Sequence, residues 1–194
     1  MMRKMMGAAM IALAMTSTVQ AQMNGMKMDA PMAASAGDPA KEVDAMLSLY
    51  ESEMTNLVKA MPADKFDFAP KTSMIAGSKY DGVRTFAAQV QHVIQANYYF
   101  YSLVGGMKPD VDVKGISKIN SKDELVAALA ACFAFSHKAV ATITPANAFT
   151  PIKGADGMNT RATLATFGVA HGFDHYGQLV EYLRMNGIIP PASV

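Results

Sequence analysis

The sequence predicts an all-α fold, a bundle of four helices of about 20 residues each. Three observations carry that expectation. Four stretches repeat apolar residues at intervals of three and four, so each has one apolar stripe. The segments between them are polar and contain proline or glycine. No stretch shows a convincing strand pattern, and no segment repeats another.

The 194-residue chain begins with a segment that does not belong to the bundle. Arg3 and Lys4 give a basic start, and an apolar run follows from Met5 to about Met15. Val19 and Ala21 then occupy the small-residue positions a signal peptidase reads. Residues 1–21 are therefore expected to be a secretory signal peptide, cut after Ala21. The alternative is an uncleaved anchor, but the run is shorter than the roughly 20 residues a membrane span needs. No cysteine lies near the cleavage site to take a lipid. The mature protein is expected to be exported, periplasmic or secreted, without a membrane span.

Residues 22–38 read as a flexible linker, rich in Met, Ala, Gly, Asn and Asp and without periodicity. Met23, Met26, Met28 and Met32 offer closely spaced thioethers, which suit Cu(I). With no histidine or cysteine beside them, a low-complexity tail is the simpler reading.

The bundle is expected over residues 39–194. The first helix runs from about Lys41 to Met61, with Val43, Met46, Leu47, Tyr50, Met54, Leu57 and Met61 on one stripe and Pro62 past its end. Residues 62–80 form a loop. The second runs from Asp81 or Gly82 to Val104, where Gly105-Gly106 stops it. Phe86, Val90, Val93, Ile94, Asn97, Tyr98 and Tyr101 mark its inward side. His92 shares a strip with Ala88, Gln89, Gln95, Ala96 and Tyr99.

After a polar connection over residues 107–120, Ser121 and Glu124 match a capping box that opens the third helix. Leu125, Ala128, Leu129, Cys132, Phe133, Phe135 and Val140 carry it towards Ile143, and Pro145 ends it. Residues 144–159 read as a loop. The fourth helix runs from about Thr160 to Asn186, capped by Gly187. Leu164, Phe167, Gly168, His171, His175, Leu179 and Tyr182 lie on one of its faces.

Charge and cysteine usage exclude several classes. Arg3 and Lys4 are the only charged groups in the signal, so of 17 basic and 16 acidic residues the mature chain keeps 15 and 16. A near-neutral chain carries no electrostatic footprint for nucleic acid. Cys132 is the only cysteine, so no intrachain disulfide is available. Its Ala-rich helical surroundings make it a buried small hydrophobe.

The chemistry lies in the histidines. His171 and His175 are four apart on one helix, which places their Cβ atoms about 5–6 Å apart on one face. His92 stands on another helix. Three neutral imidazoles with an open fourth position are the ligand set of a catalytic zinc-type site. Bundles commonly build such sites from facing helices. From spacing alone, hydrogen-bonded core histidines remain the alternative. Gly168 and Gly172 each precede a histidine by three, and Gly177 follows the second by two. Glycine inside a helix costs about 1 kcal/mol relative to alanine, which points to a close approach by a neighbouring helix or a ligand. His137, beside Lys138, is expected on a solvated face.

The segment from His171 through His175-Tyr176-Gly177-Gln178 and Tyr182-Leu183-Arg184 to Asn186-Gly187-Ile188-Ile189-Pro190-Pro191 resembles the C-terminal signature of the DinB-like family. Met61-Pro62 with Lys65-Phe66-Asp67-Phe68-Ala69-Pro70 resembles that family's loop after its first helix. Gln91-His92-Val93-Ile94 matches its second-helix histidine. The resemblance spans about residues 41 to 192. It implies a DinB-like four-helix bundle, often a homodimer, that binds a divalent metal such as zinc or nickel. The ligands it implies here are His92, His171 and His175.

Characterised relatives that transfer thiols or isomerise thiol adducts work in the cytoplasm with low-molecular-weight thiol cofactors, whereas this chain carries an export signal. Two functions follow as expectations. One is a metal-dependent transferase or hydrolase acting on a small molecule. The other is a non-catalytic exported metal-binding or stress-associated protein. Tyr99 and Gln178 fit the site face and are expected to support the ligands or touch substrate. Asp174 and Tyr176 are candidates for the same role, with the alternative that they point away, each being one residue from a ligand.

Overall fold

Each of the four apolar stripes folds as a helix, and the limits follow from local caps. The structure, a computed structural model, describes residues 37–74 and 76–194. The expected signal peptide and nearly all of the expected linker lie outside the described residues. Helix α1 is Pro39–Ala60, opened by the Asp38 side chain, which accepts from the Ala40 N–H. Helix α2 is Phe86–Gly105. It starts later than the apolar pattern suggested because Thr85 is the cap, accepting from the Ala88 N–H. Gly106, at φ 64°, ends it in the left-handed conformation. Helix α3, Lys122–Val140, opens on Ser121, which accepts from the Glu124 N–H. Helix α4, Arg161–Met185, opens on a capping box between Thr160 and Thr163.

Residues 144–159 are not wholly a loop, as the sequence suggested. Strands β1 (Pro151–Ala155) and β2 (Met158–Thr160) pair antiparallel. Asp156 and Gly157 join them, both at positive φ (51° and 81°). Two positive φ values in a two-residue connection define the turn whose twist suits a hairpin, and Asp-Gly is among its preferred sequences. The hairpin packs against α2 and α4.

Side-chain contacts give the direction of each helix. Val43 and Met46 on α1 lie beside Thr166 and Ala170 on α4, and Tyr50 meets Gly172 and Phe173 further along, so α1 and α4 are parallel. Asp44 and Glu51 reach His137, while Lys122 reaches the Lys59 and Met61 carbonyls, so α1 and α3 are antiparallel. Ile94 meets Cys132 and Tyr98 meets Phe135, so α2 and α3 are parallel. Tyr101 donates to the Ala165 carbonyl and Gln89 to Gln178, so α2 and α4 are antiparallel. The bundle is therefore up-down-down-up, with α1 diagonal to α2. The parallel pair requires residues 106–121 to climb the length of the bundle. Gln95 and Gln91 strap that connection to α2 by donating to the Val113 and Ile119 carbonyls, at 3.0 and 2.8 Å.

The core is aromatic at its centre. Tyr50, Tyr101, Phe86 and Phe133 are fully buried among Leu47, Met54, Leu57, Ile94, Leu125, Leu129 and Leu164. Cys132 is buried with them, its thiol donating to the Ile94 carbonyl. His137 departs from expectation: its ring is only partly exposed, held between two carboxylates of α1. The reason is that α3 turns this face towards α1, not towards solvent.

Candidate metal centre

The antiparallel pairing of α2 and α4 sets His92 against the His171–His175 pair. One ligand nitrogen from each of the three lies within 4.8 Å of both others. Ring centroids are 4.5 Å apart for His171–His175, 4.7 Å for His92–His175 and 5.3 Å for His92–His171. The sequence-predicted ligands thus converge, and among the described residues they form the only such group of three or more.

The donor set fits a transition-metal ion. The Nε2 atoms of His171 and His175 face each other at 3.2 Å. Two nitrogens each about 2.0–2.1 Å from a tetrahedral ion stand about 3.3 Å apart. A shared N–H···N bond also accounts for that distance, but for that pair alone. The Nδ1 atoms of both rings are buried without a protein partner.

Electrostatics keep the rings in the ligating state. Burial lowers the pKa of His92 and of His171, and it brings His175 down to about 4, helped by the two neighbouring imidazoles. The positive charge of Arg84 pushes all three in the same direction. Asp174 acts against this at His171 and His175, and Asp156 at His171, each more strongly than Arg84 does there, but burial outweighs them. Neutral imidazole is the form that binds metal.

The surroundings differ at the two ends of the site. Phe100 lies edge-on to His171 at 5.3 Å, with Phe167 at 6.3 Å, and the two phenyl rings contact each other. At the other end Gln89 donates to Gln178, and Gln178 donates to Asp174. Gln178 therefore joins a polar layer one helical turn from the triad. Tyr99 is 55% exposed, and its ring packs against Phe100. Asp174 does not simply point away, since it anchors Gln178. Gln89 and Arg84 were not singled out by sequence reasoning as site residues. The spacing of Gln89, three before His92 on the same strip, was the available signal for the first. No pattern marked Arg84, which precedes the helix.

The glycines are explained by packing. A Cβ on Gly172 would lie 2.1 Å from Cζ of Tyr50, and one on Gly168 would lie 3.0 Å from the Tyr101 hydroxyl. Neighbouring helices, not a ligand, require those two positions. Gly177 meets nothing within 4 Å, and packing gives no reason for it.

A helical bundle with a three-histidine cluster on two facing helices defines a class of candidate metal-binding bundles. The sequence model of the DinB superfamily matches residues 46–179. The chain belongs to the DinB superfamily. No curated protein matches it.

Proposed function

We propose that this chain is an exported metalloprotein that holds a divalent ion, zinc or nickel, through His92, His171 and His175, and acts on a small molecule as a transferase or hydrolase. The observation that carries this reading is the convergence of three neutral imidazoles, two of them with facing Nε2 atoms at 3.2 Å. A bound ion would lower the pKa of a water or thiol at its open position and supply a nucleophile near neutral pH. The chain's own contribution is to keep the ligands unprotonated by burial. Phe100 and Phe167 exclude water from the His171 side.

Export is supported by Arg3, Lys4, the apolar run after them and the Val19-Gln20-Ala21 cleavage pattern. Among the described residues no helix is long and apolar enough to cross a membrane. A homodimer is part of the proposal. Its support is the family resemblance and an apolar strip along α1 and α4, where Val43, Met46, Phe149 and Phe167 line two adjoining hollows that share Thr166 and Ala170.

The second reading is a non-catalytic metal-binding or stress-associated protein. One observation favours it: among the described residues the buried polar side chains are Gln89, Asn97, Ser136 and His175, with no buried carboxylate to serve as acid or base.

Elemental analysis of the mature protein beside His92→Ala and His171→Ala tests the site. About one equivalent of transition metal, lost in both variants, is expected. No uptake after incubation with zinc or nickel would overturn the metal reading. With metal present, turnover of thiol or ester substrates separates the enzyme from the non-catalytic protein.

A further inference from the structure

The layer beside the triad has a direction that its hydrogen bonds determine. Gln89 lies three residues before His92 on α2, and Gln178 three after His175 on α4. The antiparallel pairing that joins the histidines therefore joins the glutamines one turn away. Gln178 Nε2 donates to Asp174 Oδ2 at 3.1 Å, and Gln89 Nε2 donates to Gln178 Oε1 at 2.6 Å. An ionised carboxylate can only accept. Gln178 must then turn its NH2 to Asp174 and its carbonyl to Gln89. Gln89 in turn must spend its NH2 on Gln178.

What remains is the Gln89 carbonyl oxygen. The residue is 3% exposed, and this oxygen is buried with no partner in the protein. A buried acceptor left unpaired is costly, so native structures rarely keep one without a use. The opposite end of the site, at Phe100 and Phe167, is apolar. The two ends would orient an amphipathic molecule.

Resting on the three-histidine metal reading, we propose that the Gln89 carbonyl accepts a hydrogen bond from a hydroxyl, amine or amide N–H on the molecule that enters the metal's open position. Gln89 is then a specificity-determining residue. Gln178 and Asp174 are positioning residues that fix which end of its amide faces the ligand. The substrate class is a small polar molecule with a donor a few atoms from its metal-binding atom, and an apolar portion for the phenylalanine wall.

The test uses cobalt(II)-loaded mature protein under anaerobic conditions, with two thiols of nearly equal shape, 2-mercaptoethanol and 1-propanethiol. Only the first carries an O–H donor. Binding is read from the thiolate-to-cobalt absorption band. The expected result is that the ratio of the two dissociation constants shifts against 2-mercaptoethanol by about tenfold in Gln89→Met. A smaller shift in the same direction is expected in Gln178→Met, which keeps the Gln89 carbonyl but frees its orientation. An unchanged ratio in Gln89→Met with cobalt still bound overturns the proposal and leaves the metal reading standing. Loss of cobalt from folded Gln89→Met also overturns it, because Gln89 would then be supporting a ligand imidazole. Failure of the wild type to take up cobalt defeats the metal reading itself. If Gln89→Met does not fold, the exposed Gln178→Met decides, and an unchanged ratio there counts against the proposal.

Discussion

His137 shows how much a single side chain depends on partners far along the chain. Its Nδ1 stands 2.6 Å from Asp44 and its Nε2 3.0 Å from Glu51. Ionised carboxylates only accept, so both ring nitrogens must carry hydrogen, which makes the ring an imidazolium. Burial alone would lower its pKa, but the bonds to Asp44 and then Glu51 outweigh it and raise the pKa. A raised folded-state pKa adds stability that is fully present below the unfolded value of about 6.5. That stability is lost as pH rises through the folded value. His137→Gln should therefore cost about 0.5–1 kcal/mol at pH 5.5 and little at pH 9, measured by denaturant unfolding. An equal loss at both pH values would show that the pairing contributes no charge. Sequence reading placed this residue in solvent because its visible neighbour is Lys138, while the carboxylates that hold it lie on α1. Cys132 was legible, because an Ala-rich helix face is an apolar environment whatever it packs against. Burial pushes its thiol pKa up to about 12. Iodoacetamide should leave it unlabelled in the native protein and label it once the chain is unfolded.

At the level of elements, α4 separates two uses of glycine that look alike in the sequence. Gly172 faces the fully buried Tyr50 ring, which Phe133 and Phe173 hold from other sides. Gly172→Ala should destabilise by about 1–3 kcal/mol or more, since the ring has nowhere to retreat. Gly177 meets nothing, and Gly177→Ala should raise stability by up to about 1 kcal/mol through helix propensity. Thermal unfolding of the two variants would order them on opposite sides of the wild type. A destabilised Gly177→Ala would reveal a contact that the isolated chain does not make. The periodicity gave the helices to within a few residues, but not the hairpin, whose strands are five and three residues long. No alternation develops over so short a span, although Asp156-Gly157 itself was a readable turn signal.

Over the whole molecule, the three segments that carry the resemblance to the family meet around one bundle end. The Phe66 and Phe68 carbonyls accept from the Ala87 and Phe86 N–H groups, so the loop after α1 caps α2. Tyr182 of α4 packs its ring on Phe68 and donates to the Arg84 carbonyl. These contacts fix the axial register of α2 against α4, on which the meeting of His92 with His175 depends. Motif order was legible because each motif is local. The up-down-down-up path was not, because the polar connection over residues 107–120 gives no sign of how far it travels. The apolar strip on α1 and α4 belongs to this scale too. Phe149 is 73% exposed and Met46 48%. If that strip is the proposed dimer face, Met46→Glu with Phe149→Glu should convert a dimer to a monomer in sedimentation analysis. A wild type that sediments as a monomer at micromolar concentration would refute the dimer.

The placement of two histidines of the triad on the last helix, with the third on the second, has a consequence for how the proposed ion would be acquired. While the chain is being made, His92 is available long before its partners, and alone it has little hold on an ion. The three histidines meet only when α4 docks antiparallel on α2, so on the proposed metal reading the nascent chain would have no complete site until its last helix is in place. An ion bound there would then be met where the final helix folds, and not earlier on the chain's way.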